Sequence, residues 1–191
     1  MPELKQKTCK VCGDRYMPWS VASNLNRFCG FECATDFAKA KRDRDRAKAS
    51  RRRLKERREA LKTKGDYLKE AQQSFNAFIR ARDQGRSCIS CGALPGPRYG
   101  GSMDAGHYRS TGSAPHMRFH LLNCHAQCKR CNRDLSGNPV EYRKALVDRY
   151  GEDRVAELEH DDRSPQYRIE DLKRIKTIFR KRARLYLHRL R

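Results

Sequence analysis

The clearest helical stripe in the chain is Leu68, Ala71, Phe75, Phe78 and Ile79. Steps of three and four residues put these side chains on one helix face. Gly65-Asp66 ahead of the stripe reads as a break with an N-cap, and Gly85 as its end. A second stripe, Ile169, Leu172, Ile175 and Phe179, marks a basic C-terminal helix. Before it, residues 140–150 and 153–160 read as short helices separated by Gly151. The stretch from Cys88 to Cys128 is broken by Gly92, Pro95, Gly96, Pro97, Gly100 and Gly101, with a short strand predicted over residues 103–108. These apolar positions are packing and carry no chemistry of their own.

Residues 39–64 have no stripe at all. Ala47, Ala49, Leu54, Ala60 and Leu61 are too sparse, and fourteen Lys and Arg stand there against four Asp and Glu, so the run carries +10 locally. A solvated helix linking two domains would look like this. So would an arm that neutralises phosphates and folds as it binds, and this second reading is favoured with no claim to sequence specificity. Its candidate DNA contacts are Arg51, Arg52, Arg53, Arg57 and Arg58. Three segments result: 1–38, 39–64 and a main domain over 65–191.

Composition fits that picture. The 191 residues carry +21 net charge and are only 37% hydrophobic, so the core is small and part of the folding free energy must come from elsewhere. The charge favours a polyanionic partner. No apolar stretch approaches membrane-spanning length, so nucleic acid is expected rather than a membrane. The polar start does not read as a secretory signal, which leads us to expect a protein of the cytoplasm.

Nine cysteines change the picture more. Eight fall into close pairs, Cys9/Cys12, Cys29/Cys33, Cys88/Cys91 and Cys128/Cys131, with Cys124 left over. Thiols two or three residues apart offer two ligands of a tetrahedral zinc from one turn. The odd count and the expected compartment disfavour a disulfide framework. Cys9, Cys12, Cys29 and Cys33 predict an N-terminal zinc knuckle in which Trp19 and Phe28 pack rather than stack on bases. Cys88, Cys91, Cys128 and Cys131 predict a second structural zinc that staples the hairpin between them.

That hairpin holds the candidate chemistry: Asp104-Ala105-Gly106-His107, then Asn123, then Asn132 directly after Cys131. Phosphodiester hydrolysis needs a base, a cation at the phosphate, and a group that fixes the base. His107 is the natural base. Asp104 and Asn132 offer oxygens of the kind Mg2+ takes, and Asn123 is placed to orient the imidazole through a backbone or side-chain hydrogen bond. Arg109, Arg118, Lys129, Arg130 and Arg133 surround the motif as phosphate contacts. His116 and His120 read as DNA-facing or solvated, and Cys124 as a buried thiol. For His125 a ligand, a phosphate contact and a packing role stay open.

In this order the residues resemble the HNH or ββα-metal nuclease motif, in the form embedded between paired zinc cysteines as in junction resolvases of the endonuclease VII type. In that type an Asn directly after the last cysteine binds the catalytic metal, where Asn132 stands. Along most of its length the chain is also similar to the NinG (Rap) recombination proteins of lambdoid phages. The matching stretches are the N-terminal knuckle, the basic run, Phe75-Asn76-Ala77-Phe78-Ile79-Arg80, Cys88-Ile89-Ser90-Cys91-Gly92, residues 104–109, Gln127-Cys128, Cys131-Asn132 and Ser136-Gly137-Asn138. The resemblance implies a structure-specific endonuclease acting on Holliday junctions and D-loops, with recombination proteins of phage or host as partners. Such enzymes often carry an acid just before the base histidine, where this chain has Gly106. Asp104, two residues earlier on the same strand face, is expected to reach the metal instead. Many also end in histidine ligands, where Asn132 and Ser136 stand here. An oxygen-rich site favours Mg2+ or Mn2+ over catalytic zinc.

The expected architecture is α+β and mostly helical, with a zinc-stapled ββα-metal core, an N-terminal zinc knuckle and a basic helical arm. Symmetric cutting of a junction would suit a homodimer, although no dimer seam is visible in the sequence. Two other classes compete: a non-catalytic zinc-dependent DNA-binding or architectural recombination protein, and a nuclease for linear DNA or RNA.

Overall fold

The computed structural model describes residues 6–18, 27–96, 103–164 and 167–189. They fall into two compact units, Met1–Leu61 and Lys62–Arg191.

The first unit opens with a two-stranded antiparallel hairpin, β1 (Lys7–Thr8) and β2 (Arg15–Tyr16), whose turn carries Cys9 and Cys12. Gly13 closes that turn at φ 82°, a conformation that costs glycine no Cβ clash. Helix α1 (Phe31–Ala60) then runs for 30 residues without burying one of them. It starts inside the knuckle, carries Cys33, and crosses from residue 38 to 39 without a break, because nothing there is a helix breaker. Phe28 packs against Phe37 of α1, ring centroids 4.9 Å apart, as the sequence reading expects. Trp19 lies outside the described residues.

The second unit is built on α2 (Lys64–Arg82) and α5 (Ile169–Arg189). Ala71, Phe75, Phe78 and Ile79 are buried on α2, and Leu172, Phe179 and Ala183 face them from α5. Phe75 and Phe179 meet edge to face at 4.9 Å. Burying one such side chain contributes about 1.5–3 kcal/mol. The N-cap of α2 differs from the expected Gly65-Asp66. Thr63 caps the helix, and Asp66, three residues on, returns the bond to the Thr63 backbone N–H at 2.8 Å. A capping box places the acid inside the first turn rather than at the cap.

At its other end α2 is tied to a hairpin by two adjacent charges. Asp83, 3% exposed, takes both a two-pronged bond from Arg82 and the backbone N–H of Ala126. Arg82 also donates to the carbonyls of Leu121 and Cys124. The hairpin is β3 (Met103–His107) paired antiparallel with β4 (Cys124–Cys128), in the register Asp104↔Gln127, Gly106↔His125 and His107↔Cys124. Two 3-10 turns, Pro115–Phe119 and Leu121–Asn123, lie between the strands. A π-helical turn, Arg130–Asp134, follows β4. Helices α3 (Pro139–Tyr150) and α4 (Glu152–His160) bury Tyr142, Leu146, Val155 and Leu158 against Ile89, Ala114 and Met117. This is a mostly helical α+β structure with two small sheets. No helix among the described residues is long and apolar enough to cross a membrane.

Candidate functional site

Both predicted thiol sets are assembled. The sulfurs of Cys9, Cys12, Cys29 and Cys33 lie within 4.8 Å of one another, as do those of Cys88, Cys91, Cys128 and Cys131. Every cysteine is a free thiol. The Cys12–Cys29 and Cys91–Cys128 sulfurs stand 3.5 and 3.7 Å apart. A tetrahedron with Zn–S bonds of about 2.3 Å has edges of about 3.8 Å, so each cluster has the size a zinc requires. Desolvation raises Cys88, but the backbone N–H groups of Cys128, Cys91 and Ser90 outweigh it and bring the thiol down to about 7. Cys9 is drawn to about 6 in the same manner, through Val11, Cys12 and Cys29. A thiolate is the ligand form, so one cysteine of each cluster is drawn toward it, while the thiols packed around it, Cys12, Cys29 and Cys33 in the first cluster and Cys128 and Cys131 in the second, are shifted up.

The hairpin beside the second cluster presents two faces. Strand alternation puts Asp104, Gly106, His125 and Gln127 on one face, and Ala105, His107, Cys124 and Ala126 on the other. On the first face Asn132 Nδ2 donates to Asp104 Oδ2 at 3.1 Å, so the π-helical turn after Cys131 brings these two oxygen-bearing residues together. Arg133 adds a two-pronged ion pair to the same carboxylate, 2.8 and 3.2 Å. Partial burial opposes the charge on Asp104, but the bonds from Arg133 and Asn132 hold its carboxyl below the usual range.

His107 closes β3 on the other face, beside Phe75. Its Nε2 lies 3.0 Å from the Arg118 carbonyl, which can only accept, so the proton sits on Nε2 and the lone pair on Nδ1. The Cys124 sulfur is 3.8 Å from Nδ1. Burial lowers the imidazole pKa and the Arg118 charge adds to this, against the Arg118 carbonyl bond, so His107 is neutral at pH 7. Burial pushes the Cys124 thiol well up, and it stays protonated.

Asn123 does not bond the imidazole, contrary to the expected contact. It is fully enclosed, accepts from Arg109 N at 2.8 Å, and donates to the carbonyls of Arg109 and Met117 at 3.0 and 3.2 Å. Met117 precedes Arg118, so Asn123 fixes the peptide next to the carbonyl that His107 uses. Its action on the ring is indirect.

Gly106, where related motifs carry an acid, is blocked from across the sheet. A Cβ at this position would fall 2.8 Å from Gln127 Cβ and closer still to Gln127 Oε1. Gln127 is fully buried. Its Nε2 donates to Ser90 Oγ at 2.8 Å and to the Gly137 carbonyl at 2.6 Å, while Oε1 has no partner. Gly137 belongs to the left-handed run Ser136 (φ 49°), Gly137 (φ 91°) and Asn138 (φ 45°). Such a run is rare outside glycine and is held here by surrounding bonds, among them Gly137 N to the Cys131 carbonyl at 2.9 Å. The Gly106 carbonyl accepts from Tyr142 Oη at 2.9 Å.

His125, left open by the sequence, is a packing residue. Its Nδ1 and Nε2 meet the hydroxyls of Tyr142 and Tyr150 at 3.2 and 2.8 Å. Burial, then repulsion from Arg82, lowers it to about 3.

The expected phosphate contacts divide. Arg109 is used internally, donating to the carbonyls of Leu158 and Asp161. Arg118 is likewise engaged, with Gln72 Oε1 and the Thr111 carbonyl. Both guanidiniums are spent on acceptors within the fold, which a reading of charge alone does not reveal. His116 is also internal, with Nε2 on the Asp161 carbonyl at 2.6 Å, whereas His120 is half-buried with Nδ1 unpartnered. Lys129 and Arg130 are exposed beside Cys128, as are Arg51, Arg52, Arg53, Arg57 and Arg58 on α1. The sequence reading gave no role to Gln127, Tyr142 or the Arg82-Asp83 pair. The available signal was a polar Gln inside an otherwise enclosed strand, next to a zinc cysteine.

Comparison with known proteins gives the family. Residues 1–188 match the family described as Bacteriophage Lambda NinG protein. The chain is 38% identical to Protein ninG of Escherichia phage lambda over 199 aligned residues, which cover 96% of this chain and 95% of that protein. It is 38% identical to Protein ninG of Salmonella phage P22 at the same coverage, and 37% identical to that of Escherichia phage 933W. No solved structure matches the chain.

Proposed function

This chain belongs to the NinG family of bacteriophage proteins, and from that premise we propose that it is a zinc-stapled, divalent-cation-dependent DNA endonuclease acting on branched recombination intermediates such as Holliday junctions and D-loops. The observation that carries the proposal is the meeting of Asp104 and Asn132 beside a four-cysteine cluster, on the strand that ends in a neutral histidine. A structural zinc knuckle alone needs neither residue.

The donor set suits a hard cation. Asp104 provides a carboxylate and Asn132 an amide oxygen, the ligands Mg2+ and Mn2+ take with water in the remaining positions. Bound there, Mg2+ or Mn2+ supplies Lewis-acid stabilisation of charge on the phosphate and the leaving oxygen. The rest is the work of the chain. The Arg118 carbonyl holds the proton on His107 Nε2, so the lone pair that would take a proton from the attacking water is on Nδ1, which now faces the Cys124 thiol on the strand face opposite Asp104. Asn123 keeps the neighbouring peptide in place. Lys129 and Arg130 hold phosphates near the site, and Arg51, Arg52, Arg53, Arg57 and Arg58 neutralise the DNA backbone. The two zinc clusters serve structure only.

Two observations favour a second reading, a zinc-dependent DNA-binding protein without catalysis: the Asp104 carboxylate is paired with Arg133, and His107 Nδ1 has the Cys124 thiol as its neighbour. The two separate on a labelled four-way junction and a linear duplex incubated with zinc-loaded protein, in Mg2+ or in excess EDTA. Cutting of the junction in Mg2+ alone is expected. Tight binding with no cutting in Mg2+ or Mn2+ favours the second reading, and equal cutting of the linear duplex removes the junction preference.

A further inference from the structure

We propose that Gln127 Oε1 is a third protein oxygen of the divalent-cation site, delivered from β4 in place of the side chain that β3 lacks at Gly106. This rests on the reading that Asp104 and Asn132 hold that cation.

A buried amide oxygen without a hydrogen bond has lost its water and gained nothing in return, and Gln127 Oε1 is in that position. Its orientation is imposed. The Gly137 carbonyl can only accept, so the amide nitrogen must face it at 2.6 Å, with Ser90 Oγ at 2.8 Å as the second acceptor. The oxygen is thereby turned toward Gly106. Considerable structure supports this arrangement, because Gly137 sits in a left-handed run anchored to Cys131 of the zinc cluster.

The location matters as much. Gln127 is the register partner of Asp104, so the two side chains share a face. Asn132 reaches the same carboxylate from the following turn. Gly106 stands two residues along β3 from Asp104 on that face, diagonal to Gln127, and its backbone is not left-handed, so the conformation there would accept a side chain. The volume such a side chain would need is filled by Gln127. The glycine and the glutamine are therefore one feature. The small residue on β3 makes room for an oxygen from β4, and the site gains a neutral amide ligand where an acid would have added a charge.

The test is Mn2+ binding to the zinc-loaded full chain, followed through the free-ion electron paramagnetic resonance signal, with zinc content and circular dichroism confirming each fold. Gln127→Ala is expected to weaken Mn2+ binding about tenfold or more, the range seen when groups around a metal are removed. Gly106→Asp with Gln127→Ala returns an oxygen from β3 into the vacated volume and is expected to recover most of that loss. This second variant separates lost ligation from a loosened 136–138 turn, since it restores an oxygen and leaves the turn as Gln127→Ala does. Unchanged affinity in Gln127→Ala, or no recovery in the double variant, overturns the proposal. Asp104→Ala tells this failure from that of the underlying reading. If it abolishes binding while Gln127→Ala does not, Gln127 alone is wrongly assigned. If Asp104→Ala leaves binding intact, or the native chain binds no Mn2+, the cation site itself falls and Gln127 with it.

Discussion

At the scale of single residues, the most informative side chains are those whose surroundings the sequence could not display. Period-two alternation was enough to place Asp104 on the face of Gly106, and the Asn after the last cysteine marked Asn132. Nothing in the sequence told that His125 would be enclosed by Tyr142 and Tyr150, since those partners lie 17 and 25 residues away. Arg109 and Arg118 were legible as charge but not as donors to internal carbonyls. His125 makes a prediction. Its folded pKa, about 3, lies below the unfolded value of about 6.5. The unfolded chain therefore binds the proton first as pH falls, and the His125 contribution is complete above about pH 6.5 and lost below it. Between pH 7.5 and pH 5 the chain should lose about 2 kcal/mol through this group alone. Denaturant unfolding of the native chain and of His125→Gln at both pH values measures the difference. An equal pH dependence in the two would contradict the assigned burial.

At the scale of elements, the stripes at Leu68–Ile79 and Ile169–Phe179 were read correctly because α2 and α5 each bury one face and expose the other. Strand β4 escaped notice for the opposite reason. Four of its five residues are buried, so Cys124-His125-Ala126-Gln127 has no alternation to find. The helix start at Thr63 was missed because a capping box sets its acid three residues inside the helix. The cysteine pairs, by contrast, were fully visible, since ligand spacing within a turn is a local property. Both clusters should bind metal independently. Elemental analysis is expected to give two zinc ions per native chain and one in either Cys9→Ser/Cys12→Ser or Cys88→Ser/Cys91→Ser. Loss of both ions from one paired substitution, or none bound by the native chain, would contradict two separate sites. Chelation should lower the melting temperature of the second unit, since its β3–β4 hairpin is stapled through Cys88 and Cys128.

At the scale of the whole molecule, +21 net charge on 191 residues favours a polyanionic partner without naming a site. Helix α1 has no buried residue and exposes its arginines, which leaves a long basic surface in solvent. Each phosphate that it neutralises should contribute about 0.9 to the slope of log K against log salt. Replacing Arg51, Arg52 and Arg53 with Gln should flatten that slope by up to about 2.7 units, on junction and duplex alike, because backbone contacts carry no sequence or branch information. Fluorescence anisotropy at several salt concentrations measures it, and an unchanged slope would make α1 a spacer. The family became visible from the ordered motifs along nearly the full chain. Chemistry is a narrower matter, because a fold and a charge are compatible with binding alone.

The central claim is that His107 removes a proton from water in a cation-dependent hydrolysis, and a single-turnover measurement tests it most directly. Native protein and His107→Ala, matched in zinc content and junction affinity, are mixed in excess with a labelled four-way junction in Mg2+. The account predicts that the native chain cuts, and that the variant binds as tightly but cuts about 10²–10⁴-fold more slowly, the usual contribution of a positioned base. Equal cutting rates in the two, or tight binding by the native chain with no cutting in any divalent cation, would contradict it.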